Sequence, residues 1–177
     1  MTYEKVLMDG VAVDRTLSRL AHQIIEYNDS IDNICLIGIL RKGAPFADIL
    51  AKKIEQFSGV KVPTGKLDIS SYRDDFKSDS HTTNQSDISF DIVGKTVILI
   101  DDVIFTGRTT RAAMDAIINV GRPAKIQLAV LIDRGHRELP IRGDYVGKNV
   151  PTSQNERILV KWPEFDSELA VILKSDK

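Results

Sequence analysis

The stretch that decides the fold is Thr96-Val97-Ile98-Leu99-Ile100-Asp101-Asp102-Val103-Ile104-Phe105-Thr106-Gly107-Arg108-Thr109-Thr110. It begins with an unbroken run of branched apolar residues, which is typical of a central strand buried on both faces. After the turn, residues 111–120 carry apolar side chains at helical spacing, and Gly121 with Pro123 marks the end of that helix. Strand, turn and helix in this order indicate one unit of an α/β fold.

The turn between this strand and this helix has the composition of an anion site. Free backbone N–H groups at a helix N-terminus favour a negative ligand, and three threonine hydroxyls add hydrogen-bond donors. Gly107 permits the tight, positive-φ conformation that such a turn often needs. Asp101 and Asp102 would repel a phosphate unless a sugar diol or Mg²⁺ lies between them and the anion. The stretch therefore predicts a grip for a ribose phosphate. The plainer alternative is an acidic strand end and a capped helix with no ligand.

Residues Val97 to Thr109 resemble, in order, the phosphoribosyl-pyrophosphate (PRPP) motif of type I phosphoribosyltransferases. This resemblance implies that the turn binds the 5′-phosphate and that the two carboxylates hold the ribose hydroxyls. It favours the ligand-binding interpretation over the plainer alternative.

Length and composition are those of one soluble domain. The chain has 177 residues, of which 42% are hydrophobic and 28% charged. No apolar run approaches the roughly 20 residues of a membrane span, and the N-terminus lacks a signal-peptide pattern. Cys35, the one cysteine, lies inside an apolar run and is expected to be a buried, inert thiol. These features predict a cytoplasmic protein with no membrane partner.

The first half of the chain predicts a second strand-turn-helix unit. An amphipathic helix is expected over Asp14–Tyr27, followed by a buried strand over Ile34–Ile39 and a helix that has Pro45 in its first turn. Between these last two, Leu40-Arg41-Lys42-Gly43 forms a basic, glycine-bearing turn. Ligands of open α/β sheets bind outside the carboxyl ends of the strands, so this turn predicts a second phosphate site facing the first.

The remaining segments are shorter or more polar. Lys61–Tyr72 is predicted as an edge or bent strand. Residues 73–91 are too polar and too long for a passive connection, which indicates a mobile lid or a disordered loop. Another buried strand is expected at Lys125–Ile132. Short strands are expected at residues 145–151 and 156–162, and a last edge strand at residues 170–174.

Three further stretches carry a closer resemblance. They are Tyr72 to Asp75, Asp133 to Arg142 and Asp144 to Ser153. These stretches closely resemble the bacterial family of pyrimidine operon attenuation proteins, over almost the full chain. Members of that family are both regulators and uracil phosphoribosyltransferases. The resemblance implies one phosphoribosyltransferase domain over residues 1–177, with a mostly parallel sheet flanked by helices, a small hood and a flexible lid at about residues 72–90.

The same resemblance implies an activity, a cofactor and partners. Uracil and PRPP would give UMP and pyrophosphate, with Mg²⁺ bound together with PRPP near Asp101 and Asp102 and held by no purely protein site. When uridine nucleotides (UMP or UTP) are plentiful, the protein would bind leader mRNA of the pyrimidine operon and favour transcription termination. A homodimer or higher homo-oligomer is expected.

The residues assigned to each role follow from these motifs. Catalytic roles fall to Asp101, Asp102, Arg41 and Lys42. Substrate binding is assigned to Leu40, Gly43, Val103, Ile104, Phe105, Thr106, Gly107, Arg108, Thr109 and Thr110. Tyr72, Arg73 and Asp74 belong to the lid.

A surface for RNA is expected despite the net charge of −1, which lacks the usual strongly basic footprint of nucleic-acid binders. The expected residues are Ser18, Arg19, His22, His136, Arg137, Arg142 and Lys148. The first three lie on the face of the first helix opposite its apolar stripe. The others lie in the stretches that carry the resemblance.

Some positions differ from the family pattern, and two other functions stay open. The family commonly has Thr-Arg-Gly or Arg-Arg-Gly where this chain has Arg41-Lys42-Gly43, its lid is longer, and Gly143 stands where Ala is common. A purine phosphoribosyltransferase usually carries Asp directly before the Thr-Gly pair, where this chain has Phe105. The other alternative is an RNA regulator whose enzyme site survives only as a nucleotide sensor.

Overall fold

The computed structural model describes residues 3–75 and 83–175, which form two sheets and four helices. The helices are α1 (Gly10–Tyr27), α2 (Gly43–Ser58), α3 (Arg108–Val120) and the short α4 (Pro163–Asp166). The strands are β1 (Tyr3–Met8), β2 (Ile34–Ile39), β3 (Thr64–Leu67), β4 (Thr96–Ile104), β5 (Lys125–Asp133), β6 (Tyr145–Asn149), β7 (Glu156–Lys161) and β8 (Ala170–Ser175).

The larger sheet is fully parallel and has the order β3-β2-β4-β5-β6. The chain runs outward from β2 to β3 and then crosses back to β4, so the strand order reverses between β2 and β4. In open α/β sheets, ligands bind at such a switch point, outside the carboxyl ends of the strands. The switch point forms a crevice at the carboxyl ends of β2 and β4. The two turns that the sequence predicted as phosphate sites follow these two strands and border the crevice.

Helices cover both faces of this sheet because the strand side chains alternate between two apolar clusters. Ile98 and Ile100 of β4 point into the cluster shared with α1 and α2. Val97 and Leu99 point into the cluster shared with α3. Strands β2 and β4 are thus buried on both faces, as their unbroken apolar runs predicted. Cys35 is fully buried there, and burial raises the pKa of its thiol to about 11.

The smaller sheet is antiparallel, with the order β1-β8-β7, and together with α4 we call it the hood. No sequence pattern predicted β1, whose side chains are mostly exposed. The expectation that residues 170–174 form an edge strand is wrong, because β8 is the central strand of this sheet. Trp162 is fully buried and stacks on Phe46 of α2, with ring centroids 5.6 Å apart. This contact joins the link between β7 and α4 of the hood to α2, which packs on the larger sheet.

Two predicted segments differ clearly from the structure in their bounds, and the strands β5, β6 and β7 differ by one or two residues at their ends. The first helix begins at Gly10, because the side chain of Asp9 accepts a hydrogen bond from Ala12 N and caps it. The segment Lys61–Tyr72 is a strand only over Thr64–Leu67, and Ser70–Tyr72 forms a 3₁₀ turn. Strand β3 does lie at the edge of its sheet, as predicted. None of the described helices is long and apolar enough to cross a bilayer.

Candidate active site

The two adjacent carboxylates lie near the carboxyl end of β4. Strand pairing continues past them, because Asp101 pairs with Val130 and Ile104 with Asp133 of β5. Each carboxylate accepts the next backbone amide, at 2.9 Å for Asp101 and 2.8 Å for Asp102. Burial raises the pKa of Asp101, and repulsion from Asp102 raises it further. Burial also raises the pKa of Asp102, although Asp101 and the charge of Lys42 act in the other direction. Placing two carboxylates side by side away from water lowers the stability of the fold, and a ligand or cation that binds both of them would offset this cost.

The turn that follows β4, residues 105–110, is named the phosphate loop below. Gly107 has φ +93°, a left-handed conformation in which other residues are strained. Arg108 N donates to Thr106 Oγ1 at 3.2 Å, and α3 begins at this residue. The first turn of any helix leaves backbone N–H groups without helical partners. The loop therefore ends in the free N–H groups of a helix N-terminus, a place where anions commonly bind in proteins.

The turn after β2 approaches the carboxylate pair very closely. A Cβ on Gly43 would lie 2.2 Å from Ile100 O, and one on Gly38 would lie 2.4 Å from Gly43 O. Only glycines permit this contact, which seats residues 40–43 against the strand that carries Asp101. The peptide bond between Leu40 and Arg41 is cis.

The two basic side chains of this turn reach towards the hood. Lys42 Nζ donates to Val160 O of β7 and lies 3.8 Å from Asp166. The guanidinium of Arg41 lies 5.9 Å from the ring centroid of Phe165 in α4. Sequence reasoning assigned both side chains to pyrophosphate and did not foresee that they also link the turn to the hood.

The described start of the predicted lid packs against α3. Arg73 Nη1 donates to Thr109 Oγ1 at 3.2 Å, and Arg73 also pairs with Asp75. Asp74 accepts from Arg108 at 3.0 Å and from Arg111 at 3.3 Å. The middle of the predicted lid, residues 76–82, lies outside the described residues. Tyr72 OH accepts from Asn119 of α3 at 3.2 Å.

Two adjoining cavities, of about 510 and 320 Å³, occupy the crevice. Arg73, Asp101, Val103 and Thr109 line both of them. The first cavity also contacts Leu40, Arg41, Lys42 and Asp102, whereas the second contacts Ile104 and residues 105–110. The structure thus brings the predicted ribose, phosphate and pyrophosphate residues around one space. Besides Ile39 and Ile69, the polar residues Asp68, Ser70, Thr83 and Gln85 also line the first cavity. Sequence reasoning did not assign these four.

Phe105 is 39% exposed and rests on residues that follow β5. The guanidinium of Arg134 lies 4.0 Å from the Phe105 ring centroid, and His136 meets the ring edge-on at 5.9 Å. Arg134 is only 8% exposed and donates to Thr152 Oγ1, at 3.0 Å, and to Glu156 O, at 2.7 Å. Sequence reasoning missed Arg134, although a charged residue directly after β5 at the carboxyl edge of the sheet was a usable signal.

The residues predicted to bind RNA occupy different surroundings. Ser18 accepts from Lys53 at 2.9 Å, and His22 stacks on Phe57 of α2 with centroids 4.1 Å apart. Arg19 donates to Gly147 O of β6, beside the exposed Lys148. Arg142 is exposed, and His136 Nε2 lies 2.5 Å from Thr152 O. Arg137, in contrast, donates to Phe105 O, Ile141 O and Asp133. Arg19 and Lys148 therefore share the outer edge of the sheet, whereas Arg137 faces the phosphate loop.

The donor set of the crevice suits a metal only if a substrate shares it. Within residues 3–75 and 83–175, no group of three or more His, Cys, Asp or Glu side chains is arranged to hold a metal ion. Asp101 and Asp102 offer carboxylate oxygens, and Mg²⁺ is commonly held by one or two carboxylates together with substrate phosphates and water. The chain's own residues thus fit a metal that arrives with a phosphorylated ligand.

Comparisons with known proteins show to which proteins this chain is similar. The family model described as "Phosphoribosyl transferase domain" matches residues 7–164. "Bifunctional protein PyrR" of Clostridium novyi (strain NT) is 54% identical over 173 residues, covering 97% of each chain. The protein of the same name from Clostridioides difficile (strain 630) is 51% identical over 176 residues, covering 98% of this chain and 99% of the relative.

Solved structures agree in fold. Hypoxanthine phosphoribosyltransferase of Trypanosoma cruzi superposes with a TM-score of 0.74 at 21% identity, covering 98% of this chain and 97% of that one. A hypoxanthine-guanine phosphoribosyltransferase of Bacillus anthracis has a TM-score of 0.72 at 23% identity, covering 97% of each chain. These confirm the type I phosphoribosyltransferase fold. The chain therefore belongs to the phosphoribosyltransferase family and, within it, to the family of bifunctional PyrR proteins.

Proposed function

We propose that this protein transfers the phosphoribosyl group of PRPP to uracil, giving UMP and pyrophosphate, and that it binds leader mRNA of the pyrimidine operon when uridine nucleotides (UMP or UTP) are plentiful. One observation carries the enzymatic part. The half-buried pair Asp101–Asp102 lies between two turns that suit phosphate, one after β2 and one after β4, which border two adjoining cavities. A sugar with phosphate at one end and pyrophosphate at the other matches this order of groups.

Each part of the crevice then has a role. Residues 105–110 bind the 5′-phosphate through backbone N–H groups and hydroxyls. Asp101 and Asp102 accept hydrogen bonds from the ribose hydroxyls. Leu40 to Gly43 bind the pyrophosphate, with Arg41 and Lys42 as the catalytic cations. Val103 and Ile104 contact the substrate beside them. As the bond between C1 of the ribose and pyrophosphate breaks and the bond to uracil forms, charge spreads over the ribose ring and the leaving pyrophosphate. Positioning and electrostatic stabilisation therefore suffice without a side-chain nucleophile.

Mg²⁺, held by PRPP together with Asp101 and Asp102, would neutralise the leaving pyrophosphate. Since ion binding favours ionised carboxylates, it also offsets the burial that raises their pKa. The lid, from Tyr72 through Arg73 and Asp74 to about residue 90, would exclude water that could otherwise hydrolyse PRPP.

Uracil is proposed as the base because of Phe105. Purine enzymes of this fold usually have Asp at this position, where it can handle a proton on the purine. An aromatic ring cannot do so, but it can pack against a planar pyrimidine. Rates of UMP formation from uracil and PRPP, compared with rates for hypoxanthine and guanine, test this proposal. Faster use of a purine would refute it. Absence of any turnover, together with tight UMP and RNA binding, would favour the nucleotide-sensor alternative.

The regulatory part rests on the names of the relatives and on the basic residues. The proposed RNA contacts are Ser18, Arg19, His22, His136, Arg137, Arg142 and Lys148. Arg19 donates to Gly147 O at the β6 edge, next in sequence to the exposed Lys148, and we take these two residues as the centre of the proposed surface. In a homodimer or higher homo-oligomer in the cytoplasm, two such edges could join. Sedimentation would give the oligomeric state.

A salt series tests the RNA surface. Removing one cation that binds an RNA phosphate should lower the slope of log affinity against log salt by roughly one unit. We therefore expect Lys148→Gln and Arg19→Gln to weaken leader-RNA binding in the presence of UMP and to flatten its salt dependence. Arg122→Gln, at an exposed arginine on another part of the surface, is the matched control. Equal affinities and slopes in all variants would refute the surface and leave the enzyme proposal intact.

A further inference from the structure

The phosphate loop is held from behind by the segment that follows β5, residues 134–141. Three successive carbonyl groups at the end of β4 accept hydrogen bonds from this segment. Arg134 N donates to Ile104 O at 3.2 Å. Arg137 Nη1 donates to Phe105 O at 2.7 Å. Thr106 O accepts from Glu138 N at 2.9 Å and from Leu139 N at 3.2 Å. Of these donors, only that of Arg137 comes from a side chain.

The carbonyl directions decide where the loop amides point. In a trans peptide, the C=O and the N–H of the same plane point in opposite directions. Phe105 O shares its plane with the N–H of Thr106, and Thr106 O shares its plane with the N–H of Gly107. Fixing both carbonyls on residues 134–141 therefore turns both N–H groups away from their hydrogen-bonding partners in that segment, and Thr106 and Gly107 themselves line the smaller cavity of the crevice. Neither amide donates to another residue in the described part of the chain.

Arg137 is itself held rigidly. Its Nε donates to Ile141 O at 2.7 Å, and its Nη2 pairs with Asp133 at 2.5 Å. Its side chain is only 21% exposed. Asp133 lies at the end of β5, where it pairs in register with Ile104. The guanidinium thus bridges the ends of β4 and β5 and the segment behind them. A planar fork of donors can make these three contacts at once, whereas a single ammonium group cannot.

We propose that Arg137 is a positioning residue of the phosphate loop, which keeps the Phe105 carbonyl turned away from the crevice and the Thr106 amide turned towards the 5′-phosphate of the ligand. This inference rests on the proposed function, because it assigns the 5′-phosphate to that loop. Arg137 acts through the loop and does not touch the substrate. Its proposed role in RNA binding then becomes secondary, since most of its donors are used within the protein.

The test compares Arg137→Gln and Arg137→Lys with Arg122→Gln and the wild type, in steady-state synthesis of UMP. Losing a hydrogen bond from a charged group should raise the KM for PRPP roughly tenfold or more. The kcat should change far less, because the 5′-phosphate is bound equally in ground and transition states. UMP, which carries the same phosphate, should lose affinity by a similar factor.

Inhibition by Mg²⁺-pyrophosphate distinguishes a misplaced phosphate loop from general damage to the active site. Pyrophosphate binds at the turn after β2 under the proposed function, so its affinity should stay within about threefold in Arg137→Gln. Arg137→Lys keeps the positive charge but cannot reach all three acceptors from one nitrogen, so it should show an intermediate KM for PRPP. An unchanged KM for PRPP in Arg137→Gln would overturn the proposal, and so would an equal loss of PRPP and pyrophosphate affinity.

Two further outcomes are also decisive. Should Arg137→Gln fail to fold, Arg137→Lys decides: a KM for PRPP raised by roughly threefold or more supports the role, and an unchanged KM refutes it. If the wild type makes no UMP, the uracil proposal fails. The Arg137 inference is then tested by the affinity of the same variants for PRPP in calorimetry, where Arg137→Gln should bind roughly tenfold more weakly and equal affinities would refute it.

Discussion

Replacing Gly43 by alanine tests the contact that seats the turn after β2 against the strand bearing Asp101. The new Cβ would lie 2.2 Å from Ile100 O and 3.3 Å from the carbonyl carbon of Gly38. Non-bonded carbon and oxygen atoms do not approach below about 3 Å, and both neighbours are backbone atoms of paired central strands. The turn must therefore move away from β4 by a large part of an ångström.

The cost can be estimated from this geometry. Adding one methylene to a packed core typically costs about 1–3 kcal/mol. Because the obstacle here is backbone, we expect the upper half of that range, about 2–3 kcal/mol. For a protein of this size, 1 kcal/mol corresponds to roughly 2–4 °C in Tm, so Tm should fall by roughly 4–12 °C. A displacement near 1 Å at a reacting centre can cost about 10²-fold in rate.

Scanning calorimetry and UMP synthesis from uracil and PRPP measure the two effects. Gly59→Ala is the matched control. Gly59 caps the other end of α2 at φ +75°, with no atom within 4 Å of its added Cβ. It should lose about 1 kcal/mol through backbone strain and keep normal kinetics. A Gly43→Ala variant with wild-type Tm and wild-type kcat/KM for PRPP would refute the reasoning.

Three other perturbations give distinct signatures. Burial raises the pKa of Asp101 in the folded state, so stability is full below the ordinary Asp pKa and is lost as pH rises from there through the raised pKa. Asp101→Asn should therefore match the wild-type Tm near pH 3 and exceed it increasingly towards pH 7, and a Tm difference that does not change with pH would contradict this. Tyr145→Phe removes a buried hydroxyl that donates to Gln127 at 2.8 Å and accepts from Asn28 at 3.0 Å, so denaturation in urea should show a loss of about 1–3 kcal/mol with unchanged catalysis. Amide exchange at residues 74–87 should slow when Mg²⁺ and PRPP are added, and equal exchange with and without them would remove the lid role.

Local patterns were sufficient for the parts of the fold that are set by local chemistry. The unbroken apolar run of β4, the glycine and threonines after it, and the stripe of α3 each specify their own conformation. The strand nevertheless continues through Asp101 to Ile104, because β5 supplies partners beyond the apolar run. Strand β1 was not predicted, because its side chains are mostly exposed and show no alternation of polar and apolar residues. Its pairing with β8 is what makes this segment a strand.

Long-range contacts explain what local sequence could not predict at the site. Lys42 was assigned to pyrophosphate as a neighbouring charge, but its reach to Val160 depends on how the hood packs, more than a hundred residues later. Arg137 was assigned to an exposed basic surface, and only the fold brings it against the carbonyl of Phe105. Charge and spacing in the sequence predict which basic residues belong to the site. The hydrogen-bond acceptors of those side chains depend on how the strands and the hood assemble.

The central claim is that Asp101 and Asp102 serve a phosphorylated ribose in the crevice and not the core around them. The most direct test is UMP synthesis by the double variant Asp101→Asn with Asp102→Asn, together with its thermal melt. Because amides keep the shape of the carboxyl groups and remove their mutual repulsion, Tm at pH 7 should hold or rise, while UMP formation falls below detection. Uracil turnover near the wild-type rate in a folded double variant would contradict the claim.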